Sequence, residues 1–362
     1  MRRADIAGVV RLGAAAMVVL AAAGCHDQGP APLPTRLDAA AVDAKVAALE
    51  AYFGGPTLRG IIWYEPENYL WYDAPAAVAS RVAAGRRPAL SVLATGGAAA
   101  TVEPLLPARS RGWTFVRDLL GGGWRAADGR PGAPPDGVRF VFNARDARGA
   151  WTTAEAGWVD VRDVSASAGP RLTAEVFATS GAKVMHYEVS RTTPPGAEMR
   201  REMRGYVELG GRRLEFFDVH QSDLIRGPHY DLVEGWSMAS EDISWTEAYD
   251  YHALPTDSLS EEVRIGRTAV RVLRRVAASS SGYVDPYDQW PNVLLNERLY
   301  AVPDPGDGVV WPFTRPDGSP MPADEKRAFT RLGTLAAIGS WPLVVETTIS
   351  YWIEDLAGDP LR

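Results

Sequence analysis

Through the middle of the chain, hydrophobic and polar positions alternate with a period of two, which puts successive side chains on opposite faces of an extended strand. Arg171–Ala178 (RLTAEVFA) and Ala182–Ser190 (AKVMHYEVS) flank Thr179-Ser180-Gly181, while Gly205–Leu209 (GYVEL) and Arg212–His220 (RRLEFFDVH) flank Gly210-Gly211. Glycine supplies the positive φ of a tight hairpin, so the block predicts two consecutive hairpins, a meander. Val138–Asn143 (VRFVFN) and Gly157–Val164 (GWVDVRDV) lead into it. Glu262–Ile265 and Thr268–Val276 form a further hairpin around Gly266-Arg267, although TAVRVLRRVAA fits neither the strand nor the helix period cleanly. Arg59–Trp71 around Pro66-Glu67-Asn68 predicts an early hairpin, and Glu297–Val302 a short strand. The cleanest alternation is at the tail, where Leu343, Val345, Thr347, Ile349, Tyr351 and Ile353 interleave with Val344, Glu346, Thr348, Ser350 and Trp352. That pattern predicts a final strand about 35 Å long, paired with the central meander.

Helical spacing occurs at two main places. Behind the capping residue Asp38, Val42, Val46, Leu49 and Phe53 make one apolar stripe that ends at Gly54-Gly55-Pro56; Pro322 starts a second helix with Phe329, Leu332, Leu335 and Ile338 facing inward. Pro75–Ala84 is a third, shorter candidate. Short strands separated by Gly, Pro or Asp, with few helices, predict a mainly β fold: an antiparallel meander forming a sandwich or barrel-like sheet with two or three accessory helices. The body is read as a single β-rich domain over residues 38–362. Gly129–Gly137 (GRPGAPPDG) is loop by composition and is where a subdomain boundary would fall, and Ser279–Pro320 is largely irregular.

The N-terminus changes the picture. Arg2 and Arg3 precede an apolar run from Val9 to Ala23, interrupted only by Arg11, then small residues and Cys25, the single cysteine in the chain. That is an export signal, and it is shorter than the 20 or so apolar residues of a membrane span. Leu20-Ala21-Ala22-Ala23-Gly24-Cys25 resembles the lipobox of bacterial lipoproteins, with Ala22 where that family more often has leucine. The resemblance covers residues 1–25 only, and no family resemblance is carried by the rest. It implies a signal peptide over 1–24, a diacylated Cys25 at the start of a tether over 25–37, and a membrane partner reached through that lipid. His26, in place of the aspartate that retains such proteins at the inner membrane, points to the outer membrane of the bacterial envelope. One cysteine leaves no intrachain disulfide and no multi-cysteine zinc site. Removing residues 1–24 takes away three arginines and one aspartate, so the formal charge goes from −7 to −9. An acidic body of this kind is not expected to bind nucleic acid.

Candidate chemistry concentrates between Asp218 and His252, where three of the five histidines (His220, His229, His252) lie among eight carboxylates. Asp218 and His220, two apart, share a strand face and make an acid/base or ligating pair, with Glu234 and Glu247 as further catalytic candidates. The spacing matches no compact zinc signature, so no metal and no cofactor is expected. The bland alternative is a polar strand end running into a solvated acidic loop. The chain is also rich in large rings, with 12 Trp and 13 Tyr. Trp236, Trp245, Tyr249, Tyr287 and Trp290 are candidates to stack on a sugar or line an apolar cavity, although most such rings pack the core of a β fold. No G-x-S-x-G elbow or phosphate loop is present, and the only basic cluster, Arg264 to Arg275, reads as a balancing strand or helix face. Three functions follow: a non-catalytic envelope lipoprotein binding an apolar or glycan ligand; a carboxylate-dependent hydrolase of carbohydrate or lipid; or a structural envelope component without a small ligand.

Overall fold

The computed structural model describes residues 33–54, 58, 106–117, 124–127, 129–145, 151–165, 169–192, 198–223, 229–251, 258–275, 292–303 and 313–343, together with 345, 349, 352 and 353. The hairpin predicted over Arg59–Trp71 and the helix over Pro75–Ala84 lie outside them.

Among the described residues, fifteen strands form one sheet, almost entirely a meander in chain order. They are β1 (Thr114–Arg117), β2 (Trp124–Ala126), β3 (Gly137–Arg145), β4 (Trp151–Asp163), β5 (Arg171–Ala178), β6 (Lys183–Thr192), β7 (Glu198–Leu209) and β8 (Arg212–Asp223). The series continues with β9 (His229–Met238), β10 (Ile243–Tyr251), β11 (Ser258–Ile265), β12 (Thr268–Arg275), β13 (Asn292–Leu295), β14 (Arg298–Pro303) and β15 (Phe313–Thr314). Among the described residues, the helices α1 (Ala39–Phe53) and α2 (Ala323–Gly339) accompany the sheet. The mainly β meander with accessory helices is therefore the fold. It is a single open surface, since β15 stands at one edge and β2 at the other. The one departure from antiparallel order is at the β2 end, where β1 pairs parallel with β3 across the Gly129–Gly137 loop.

Local chemistry explains most hairpins. Gly210 and Gly211 take φ of 59° and 74° between β7 and β8, so both centre residues sit in the left-handed region that a two-residue turn requires. Thr268–Arg275 resolves as a strand, paired with β11 along its whole length.

One face of the sheet carries the core. Phe140, Val159, Val176, Met185, Val207 and Leu214 stand at successive cross-strand positions from β3 to β8, and all are buried. The helices lie over this inner face. The Tyr52 hydroxyl of α1 donates to the Val207 carbonyl at 3.0 Å, and the Trp236 indole N–H of β9 donates to the Ala336 carbonyl of α2 at 3.3 Å. Asp38 caps α1 by accepting from the amides of Ala40 and Ala41.

Two expectations fail. The tail is not a strand: Trp341, Pro342, Leu343, Val345, Ile349, Trp352 and Ile353 are all helical. The sequence contains a second stripe, Trp341, Val345, Ile349, Trp352 and Ile353, at helical spacing. Trp352 seals it against the inner face, 4.8 Å from the Trp124 ring and 5.4 Å from Phe140. Nor is the acidic segment after Asp218 a solvated loop, because β9 and β10 form a hairpin through it, with Leu232, Trp236, Met238, Ile243, Trp245 and Tyr249 buried. The carboxylates masked an alternation that holds once Leu232 is taken as its start.

Candidate functional site

Directly opposed residues on neighbouring strands share a face, with Cβ atoms about 5 Å apart. Three rows cross the inner face between β7 and β11. The first runs Phe216, Trp236, Trp245, Val263 and is apolar. The second runs Met203, Asp218, Glu234, Glu247, Glu261, so that four consecutive strands each present a carboxylate. The third runs Arg201, His220, Leu232, Tyr249, Leu259.

All four catalytic candidates, Asp218, His220, Glu234 and Glu247, thus come together on one face in adjacent register. The acidic row also divides the hydrophobic surface. Trp236 and Trp245 belong to the main core, whereas Leu232, Tyr249 and Leu259 form a small apolar cluster of their own on the far side of the carboxylates.

Burial makes the row chemically unusual. Asp218 is 8% exposed, Glu247 6% and Arg201 4%. An ionised side chain at that depth persists only when paired, and Arg201 Nη1 meets Asp218 Oδ2 at 2.6 Å. Glu234, Glu247 and Glu261 are likewise not without partners. Among the buried polar atoms without a hydrogen bond in the described residues are Asp218 Oδ1, an acceptor, and Trp245 Nε1, a donor two residues before Glu247 on the same strand face. Buried polar groups are satisfied in nearly all cases, so each such orphan marks a place where a ligand, a water or a reacting group belongs.

The ring candidates separate. Trp236 is closed off, because Gly339 of α2 lies so flat on its indole that an added Cβ would sit 1.9 Å from a ring carbon. Trp245 and Tyr249 flank the carboxylate row on opposite sides. Tyr287, Trp290, His252 and Cys25 lie outside the described residues. Among the described residues, no three His, Cys, Asp or Glu side chains gather closely enough to hold a metal ion.

Sequence reasoning missed Arg201 and Glu261. Arg201 precedes the strand predicted from Gly205, but β7 begins at Glu198, and counting back by twos from Val207 places Arg201 inward with Met203. Glu261 stands at the matching phase of β11, between the inward Leu259 and Val263. Comparison of the chain with family models, with curated proteins and with solved structures finds no match in any of the three.

Proposed function

We propose that this is a lipid-anchored protein of the bacterial cell envelope whose body binds a ligand with both polar and apolar parts, such as a glycan or an acylated headgroup, on the inner face between β7 and β11. The observation that carries the reading is the row Asp218, Glu234, Glu247, Glu261, with an apolar row on one side and Arg201, His220, Leu232, Tyr249 and Leu259 on the other. Ligand hydroxyls there can donate to Asp218 Oδ1 and accept from Trp245 Nε1. The cluster of Leu232, Tyr249 and Leu259 gives its apolar portion a surface separate from the main core. The anchor rests on the lipobox at Cys25 and the tether behind it.

Native mass spectrometry of the protein extracted from its own membrane tests this directly. Wild-type protein is expected to carry a non-covalent adduct that is lost in an Asp218→Asn, Trp245→Phe double variant of unchanged fold. An adduct-free wild type, or an adduct that the variant retains, overturns the reading.

A second reading is favoured by one observation. Glu234 and Glu247 are directly opposed, with Cβ atoms about 5 Å apart, which puts two carboxylates side by side as glycoside hydrolases require. In that case Glu247→Gln carries a heavier adduct than the wild type, the uncleaved substrate, whereas a binder shows the same adduct mass in both.

A further inference from the structure

A shallow pocket of about 480 Å³ opens at the β14 end of the sheet, far along the meander from the acidic row's β8 end, with Pro34, Arg298, Leu299, Arg315, Asp317 and Ser319 among its walls. The β13–β14 turn, with Asn296 and Glu297 at φ of 49° and 65°, brings Arg298 and Leu299 to its rim. Both are exposed, Leu299 at 49%. Arg315 reaches the pocket with its guanidinium 4.3 Å from the Tyr300 ring centre and ion-paired to the buried Glu325, which Arg36 also binds. Arg298 has no ion pair among the described residues. An exposed leucine beside an uncommitted arginine is an uncommon rim on a body whose net charge is negative.

The pocket's position in the chain supplies the partner. Pro34 is part of its wall and is tied down, its carbonyl accepting from Asn296 Nδ2 at 2.7 Å. Cys25 stands nine residues earlier. A stretch of nine residues cannot span more than about 32 Å. If Cys25 is acylated, this pocket stays within that reach of the bilayer, where a contact too weak to form in free solution is populated because the effective concentration is in the millimolar range.

We propose that this face seats the body on the membrane, with the phosphate of an anionic phospholipid headgroup received by Arg298 and Arg315 and with Leu299 entering the interfacial layer. The proposal rests on the lipoprotein reading above. Bilayer contact here turns the β14–β15 end of the sheet toward the lipid.

Hydrogen exchange on the acylated full-length protein, reconstituted in phosphatidylcholine bilayers with and without phosphatidylglycerol, tests it. Amides of residues 298–303 and 315–319 are expected to exchange about fivefold more slowly per engaged arginine when the anionic lipid is present. Arg298→Glu with Leu299→Asp should abolish that difference while leaving β5–β8 protected as before. Equal exchange in the two bilayers overturns the proposal, as does a variant that keeps the slowing. So does the same slowing produced in detergent by inorganic phosphate, which would mark a site for a soluble anion. The intact mass judges the anchor separately, since a Cys25 without acyl chains removes the tether argument whatever the exchange shows.

Discussion

Arg201 and Asp218 are a charged pair set into an apolar face, and their energetics follow from that placement. Removing one partner strands the other charge away from water, so Arg201→Met is expected to cost about 3–5 kcal/mol in denaturant unfolding. Replacing both, with Arg201→Met and Asp218→Leu, should restore most of the loss, because the pair's attraction mainly offsets its own desolvation. Tyr52 gives a pH-dependent counterpart. Burial pushes its hydroxyl up to about 12, with Arg212 pulling the other way. The folded state therefore keeps a proton that the unfolded chain releases, and the stabilisation is complete below pH 10 and lost as pH climbs toward 12. Tyr52→Phe should be less stable than wild type by about 1 kcal/mol at neutral pH, through the lost bond to Val207, with the gap closing in alkaline unfolding curves. His186, on the outer face, works in the acid direction. Burial lowers its pKa against the opposing pull of Glu175. The unfolded chain takes up the proton first, so this residue's contribution declines as pH falls below about 6.5, the usual imidazole value. His186→Gln should flatten that part of the stability profile.

At the scale of elements, α2 and the tail helix decide which parts of the inner face are closed. Gly339 meets Trp236 with no room for a methyl group. Gly339→Ala is expected to lower stability by about 1–3 kcal/mol and to shift Trp fluorescence, through overpacking rather than lost helix propensity. In the tail, Ile349 is fully buried on the stripe shared with Trp352. Ile349→Ala should cost about 2–5 kcal/mol in thermal or denaturant melts. Proline at a helical position distinguishes helix from strand there: Val345→Pro should unfold the segment, with loss of helical circular dichroism.

The whole molecule joins neighbours in sequence to neighbours in space. From β3 to β15 each strand pairs with the next, which is why the hairpins were legible from turns and alternation. β5 runs over the residues predicted for it, and β6, β8 and β12 over nearly the same ones. The acidic row was legible only in part. Asp218 and His220 were paired on one face by their spacing, but Glu234, Glu247, Glu261 and Arg201 are aligned by registers set along four separate hairpins, and a one-residue slip in any would have sent a member to the other face.

By itself, the chain determined the meander, the two helices with their caps and stripes, and the concentration of carboxylates around β8 to β10, because turns and side-chain alternation act over a few residues. Tertiary structure decided the rest. Leu343–Ile353 carries both a strand pattern and a helix stripe, and the helix prevails where Trp352 meets Trp124 and Phe140 on a sheet that no local signal describes. The burial of Asp218 and Glu247 was decided in the same way, because the free energy of a charge depends on what the whole fold places around it and not on its neighbours in sequence.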